Sequence, residues 1–415
     1  MSRLKFSVYG NCQNHPLSLI LRCSTEFSSI YEELPIKSIH LLSPDEDEGV
    51  QETVRNLDLF IYQPVEANYR GNFRKLGTKF LLGYMKNDAT AISIPVAYFT
   101  GYNPETIYLR DNNGGVVTGH FSDYHDLNIL KAYHHGLDWQ ECISYIQMNE
   151  IYPLEFLKTI LSNNLAELRK RESVIDIKVS DFIEKNWRQQ RLFFSVNHCS
   201  NSLFLHEANQ ILHSLGLTAL DPAILDGRPE YLGDTKLFIY PSVRKQMSLS
   251  FAEDVIQFAN RTFTLNDTIK SYFNEYDSDP ELVKNNIDFY SMSPDVTLSR
   301  IASYWTMPCA EKTTIYKLQT SLKEKDVEIS RLHATLQEKE AQITKLQYEF
   351  DMIISTTTWR YVSLLHPIIN KMLPLGTRRR QFVNQTLSAT VNPALNLMRT
   401  VARKRAEHHR SAKLT

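Results

Sequence analysis

Cys12 lies in the stretch Leu-Lys-Phe-Ser-Val-Tyr-Gly-Asn-Cys-Gln-Asn-His-Pro-Leu-Ser-Leu-Ile-Leu-Arg, residues 4–22. Leu4, Phe6, Val8 and Tyr9 suit a buried strand, Gly10 and Asn11 a sharp bend, and Pro16 with Leu17, Leu19, Ile20 and Leu21 the first turns of a helix. A thiol on such a turn feels the positive end of the helix dipole, which favours the reactive thiolate. The backbone N–H groups of the same turn are candidates to hold an oxyanion in a thioester or ester reaction. Gly10, Asn11 and Gln13 are therefore expected to contact substrate or oxyanion beside Cys12.

A base is needed to activate that thiol. The run Phe193-Phe-Ser-Val-Asn-His-Cys199 reads as a strand that ends before a helix over 203–215, so His198 has the same kind of placement as Cys12. His15, three residues after Cys12, is the competing base, and the Tyr124-His125-Asp126 triplet offers an imidazole and a carboxylate near a helix start. Asp126 there also reads as a helix cap. Gln63 ends a third strand, 57–65, and is a candidate hydrogen-bond donor facing Cys12.

The elements that must position these groups read as α/β. Short apolar runs at 4–9, 36–42, 57–65, 91–98 and 191–196 are expected strands, and helical patterns separate them. In an open α/β sheet, the loops at the carboxyl ends of the strands gather at one crevice, where Cys12, Gln63 and His198 could meet. Residues 219–305 carry no motif and read as the end of the catalytic domain, a helical subdomain or a lid.

Gly10-Asn11-Cys12-Gln13 after a short N-terminal strand resembles the opening motif of the WcbI family of polysaccharide-biosynthesis acetyltransferases, relatives of the SGNH hydrolases with Cys in place of Ser. Asp58-Leu-Phe-Ile-Tyr-Gln-Pro-Val65, Ile94-Pro-Val-Ala-Tyr-Phe-Thr-Gly-Tyr-Asn-Pro104 and the run ending in His198-Cys199 also resemble that family. The likeness covers the first half to two-thirds of the chain. It implies an SGNH-like, mostly parallel sheet flanked by helices, with a catalytic domain over 1–305. It also implies transfer of an acetyl group from acetyl-CoA to a hydroxyl of a capsular or other surface polysaccharide or its lipid-linked precursor. In that reading Cys12 is the nucleophile, His198 the general base, and Arg70, Arg74 and Lys79 bind the CoA phosphates. The rival readings are a Cys-dependent carbohydrate esterase of SGNH type and a non-catalytic scaffold for glycan assembly.

The composition is that of a globular protein, with 42% hydrophobic residues in 415. Five widely spaced cysteines without a Cys-x-x-Cys pair indicate neither a disulfide framework nor a metal site, and no metal is expected. No signal peptide and no run of ~20 apolar residues is present, so a cytoplasmic location is expected, at most peripheral to the inner face of the membrane.

From Ile315 to Ile353, ten of twelve heptad seam positions are apolar, which predicts a coiled coil over 311–355 and a homo-oligomer, a parallel dimer being favoured. Lys325 and Lys339 are the two exceptions. Beyond it, residues 371–415 hold ten Lys or Arg against Glu407, a charge of +9 that leaves −10 for residues 1–370. That basic tail, 356–415, is expected to be partly disordered or to lie on an anionic membrane surface, with no nucleic-acid partner.

Overall fold

The computed structural model describes residues 2–69, 74–251, 255–292, 310–355, 357–372, 378 and 381. The chain divides into two compact units, 1–319 and 320–415. In the first, β1 (Leu4–Tyr9) leads into α1 (Asn14–Leu21), α2 (Thr25–Ile30), β2 (Tyr31–Glu33), α3 (Asp47–Arg55), β3 (Leu59–Tyr62), α4 (Thr78–Leu82) and β4 (Thr90–Ser93). Two small strands, β5 (Thr106–Ile107) and β6 (His125–Asp126), precede α5 (Leu127–His134), α6 (Trp139–Ile146), α7 (Leu154–Glu172), α8 (Ser180–Asn186) and α9 (Asn201–Ser214). Then come α10 (Pro241–Gln246), the hairpin of β7 (Ile256–Phe258) and β8 (Arg261–Phe263), α11 (Leu265–Ser278) and α12 (Pro280–Ser291).

The main sheet has the order β2-β1-β3-β4 and every pairing is parallel. Both faces of the central strands are apolar because both are covered. Phe6, Val8, Leu59 and Ile61 face one core with α1 and α9, whereas Tyr9 and Phe60 face a second core with Val54, Leu57, Leu76 and Leu81. Each such buried side chain contributes roughly 1.5–3 kcal/mol relative to exposure. The strand order reverses direction between β1 and β3, so their carboxyl ends flank the topological switch point, where ligands bind in open α/β sheets.

Several expected elements differ. The second strand is Tyr31–Glu33, an edge strand only half buried, and so lacks the apolar run sought at 36–42; that stretch instead contains the 3₁₀ turn Ile39–Leu41. The apolar run 191–196 is buried in a loop, with only an isolated bridge from Phe193 to Cys199. Residues 222–290 contribute Ile239, Tyr240, Val243, Tyr272 and Tyr276 to the same core as β1 and α1.

The helix Ala310–Ser355, of 46 residues, begins before the boundary at 319 and has most of its length in the second unit, where the helix Thr357–Met372 follows it. Among the described residues, no helix is long and apolar enough to cross a membrane. Most of the basic tail lies outside the described residues.

Candidate active site

The β1–α1 turn is built by side-chain amides. Asn11 Oδ1 accepts the Gln13 N–H at 3.0 Å, the bond of an Asx turn, and the Asn14 N–H donates to the Asn11 carbonyl at 3.1 Å. Gln63, at the end of β3, accepts the Asn11 N–H at 2.9 Å and donates to Gln13 Oε1 at 2.9 Å and to the Pro95 carbonyl at 3.1 Å. Gln13 in turn donates to the carbonyls of Ala97 at 2.7 Å and Asn197 at 2.8 Å, and accepts the Ala97 N–H at 3.2 Å. Both amides are 2% exposed, so these bonds are not shared with bulk water. Three sheet-end loops and the segment that carries His198 are thereby one bonded unit.

That arrangement corrects two expectations. Gln63 spends its N–H groups on Gln13 and Pro95, so it fixes the turn and is not free to donate to an oxyanion. The N–H groups of Asn11, Gln13, Asn14 and His15 are likewise engaged, the last with Asn14 Oδ1 at 2.7 Å. The Cys12 N–H lies against its own sulfur, where it favours the thiolate. Gly10 is required by close approach, since a Cβ there would stand 2.4 Å from Gln63 Oε1. Gly10→Ala is expected to displace the Gln63 amide and destabilise the fold by about 1–3 kcal/mol, measured by denaturant unfolding.

Cys12 is partly buried, and the pKa of its thiol is pushed up to about 11, first by burial and further by the Asp234 carboxylate, against the opposing effect of its own N–H. The dipole at the start of α1 therefore does not leave a resting thiolate, contrary to expectation. A base must take the proton when the thiol reacts.

His198 stands at the other side of the Gln13–Asn197 link. Its ring is 15% exposed, packs edge-on to Tyr124 at 5.9 Å between centroids, and has Nδ1 4.0 Å from Asp234 Oδ1. Burial lowers its pKa below the usual histidine range, while Asp234 and the Leu232 carbonyl pull it back up and His40 lowers it. The imidazole is thus neutral at neutral pH and able to accept a proton. The Asp234 carboxylate beside His198 also raises the pKa of the Cys12 thiol, so its charge reaches both groups. The loop that carries it is pinned to the start of α9, where Glu230 accepts the Asn201 N–H at 2.6 Å and Asn201 Oδ1 accepts the Tyr231 N–H at 3.0 Å.

The other candidates lie elsewhere. His15 is exposed on α1. His125 is fully enclosed beside Tyr276 and Glu275, its pKa lowered to about 4 by burial, and Asp126 caps α5 through the N–H groups of Asn128 and Ile129 while accepting Tyr240 Oη–H at 2.7 Å. Neither is placed to serve as base or orienter beside Cys12; both hold the core behind it. Arg70 lies outside the described residues, as does the side chain of Arg74, and Lys79 is exposed on α4. Among the described residues, no group of three or more His, Cys, Asp or Glu could hold a metal ion.

Sequence reasoning missed Asp234, Asn197, Tyr124 and His40. Asn197 is a hub: its carbonyl accepts from Gln13, and its Oδ1 accepts from Tyr124 Oη at 2.8 Å and Ser195 Oγ at 3.3 Å. Its place beside His198 was the available signal. Nothing in the local pattern around Asp234 marks it.

The model of the family described as polysaccharide biosynthesis enzyme WcbI matches residues 5–220, just over half of the chain. No curated protein matches. Among solved structures, the fold matches one described as WcbI, a novel polysaccharide biosynthesis enzyme, in its native form without a disulfide bond between CoA and one of its cysteines. The match has a TM-score of 0.57 and 25% identity, and covers 76% of this chain and 98% of that one. With a buried cysteine turn at the switch point of a parallel sheet and a family model that spans it, the chain belongs to the WcbI family of polysaccharide biosynthesis enzymes.

Proposed function

We propose that this enzyme transfers an acetyl group from acetyl-CoA to a hydroxyl of a surface polysaccharide or its precursor, with Cys12 as nucleophile. The observation that carries the reading is that one carboxylate, Asp234, acts on both the partly buried Cys12 and on His198, whose segment is tied to the Cys12 turn by the bond from Gln13 to the Asn197 carbonyl. The matched WcbI structure is described as a native form without a disulfide bond between CoA and one of its cysteines, a description that sets the two groups side by side in that protein and supports a CoA thiol reaching Cys12 here. Arg70, Arg74 and Lys79, on the segment after Gln63, are the proposed phosphate contacts.

In this mechanism His198 takes the Cys12 proton as the sulfur attacks the thioester carbonyl. The tetrahedral oxyanion is met by the Cys12 N–H, and the imidazolium is stabilised by Asp234. Collapse expels the CoA thiolate, which recovers the proton from His198 and leaves acetyl on Cys12. The sugar hydroxyl then attacks this thioester while His198 accepts its proton, and Cys12 leaves as the thiol after reprotonation.

Calorimetry with acetyl-CoA, followed by mass analysis of the protein, tests the donor and the nucleophile together. Binding with one acetyl group on Cys12, absent in Cys12→Ala, is expected; no binding of acetyl-CoA or CoA would reject the transferase reading and favour a Cys-dependent esterase.

The pH dependence has a definite sign. Activity should rise with pH as His198 loses its proton, with the acid limb below the ordinary histidine range because burial lowers that pKa. Asp234→Asn removes a charge that raises the pKa, so the limb should move further toward acid while the plateau rate falls by roughly 10²-fold from lost stabilisation of the imidazolium. A limb that moves toward alkali would show that Asp234 does not face His198.

A further inference from the structure

The helix Ala310–Ser355 carries its own unpartnered seam. Leu322, Ile329, Leu332, Leu336, Ile343 and Leu346 occupy six of the eight heptad core positions from 322 to 346, Lys325 and Lys339 taking the other two, and each of the six is between 49% and 65% exposed. Single exposed leucines are ordinary, but a continuous stripe at spacings of three and four along one helix is the surface that a second helix covers. The two lysines in the seam, Lys325 and Lys339, are each followed directly by an acid, Asp326 and Glu340.

We propose that a second copy of this chain covers the seam, as a parallel coiled coil with the two helices in register. In that pairing, a side chain at the d position packs against the e position of the facing helix. Lys325 and Lys339 then each face their own copy across the axis, and that like-charge contact is relieved by Asp326 and Glu340 of the second copy, with the aliphatic stems in the seam and the ammonium groups drawn outward to the carboxylates. An antiparallel pairing with full overlap of 315–353 instead sets Lys325 against Ile343 and Lys339 against Ile329, with Asp326 and Glu340 on neighbouring e positions, a like-charge contact repeated by symmetry. The acids therefore favour the parallel arrangement, in which each has a lysine of the second copy within reach.

Sedimentation equilibrium of the full chain should give twice the 48.1 kDa of one copy. The double variant Leu332→Glu/Leu336→Glu should sediment as a single copy with the near-ultraviolet circular dichroism of wild type, since both residues are exposed and lie outside the first unit. Leu322→Cys should form a reducible cross-linked dimer under mild oxidation, with wild type as the blank for the chain's own five cysteines. A wild-type mass of one copy, or a dimer that survives the double Glu substitution, overturns the proposal. Cross-linking through Leu322→Cys paired with Leu346→Cys, but not through Leu322→Cys alone, overturns the parallel arrangement.

Discussion

Cys12→Ala is expected to lower kcat/KM for acetyl transfer by roughly 10³-fold or more and to abolish the acetylated protein, with acetyl-CoA still bound in calorimetry. The size follows from the chemistry proposed above, because among the described residues no other thiol stands on the β1–α1 turn at the switch point of the sheet. Cys199 is fully buried, with its pKa driven well up by burial, and its sulfur lies 3.8 Å from the Asn197 carbonyl. Cys12→Ser tests the same point differently. An alkoxide is harder to form than a thiolate, so His198 would meet a larger proton-transfer barrier and the rate should fall well below that of the thiol. Stability should stay within about 1 kcal/mol of wild type, because the sulfur has no buried hydrogen-bond partner outside its own residue to abandon. Retention of wild-type turnover by Cys12→Ala would remove the cysteine from the reaction.

The second large effect is on the fold. Gln13→Ala would orphan the carbonyls of Ala97 and Asn197, the Ala97 N–H and one N–H of Gln63, all currently satisfied by one side chain. An unpaired buried polar group costs ~1–3 kcal/mol, so the loss of four such bonds should destabilise by roughly 3–5 kcal/mol after partial relaxation, read by urea unfolding. Activity should fall with it, because the Asn197 carbonyl is the tie between the Cys12 turn and the residue next to His198. Gln13→Glu is close in shape yet reverses the donors: its carboxylate would face the Ala97 and Asn197 carbonyls and repel them. It should be at least as damaging as Ala near neutral pH. Equal stability of wild type and both variants would mean that the amide bonds contribute nothing net.

The strand, bend and helix around Cys12 were legible because their signals are local: alternation in Phe6 and Val8, glycine at the bend, proline early in the helix. The α/β class followed from short apolar runs between helical patterns, whereas the mostly parallel sheet was implied by the family resemblance. Gln63 was correctly read as the residue at the end of β3, but its role was not, since which way an amide points is decided by Asn11, Gln13 and Pro95, none of them its sequence neighbours. Cys12 was placed correctly and its ionisation was not: the dipole of a short helix is outweighed by desolvation of the sulfur. Asp234 was invisible, because a half-exposed acid in an aperiodic loop has no local signature; Glu230 and Asn201 bring it to the site through bonds across some thirty positions.

The bond from Gln13 to Asn197 joins residues 184 positions apart. During synthesis at about 5–20 residues per second, the nucleophile therefore emerges on the order of ten seconds or more before the carbonyl that fixes its turn, and His198 and Asp234 come later still. A nascent chain that stops near residue 190 carries the Cys12 thiol without the carbonyl that anchors its turn and without His198 and Asp234, the proposed base and its carboxylate. The site is completed only when distant parts of the chain close a long loop.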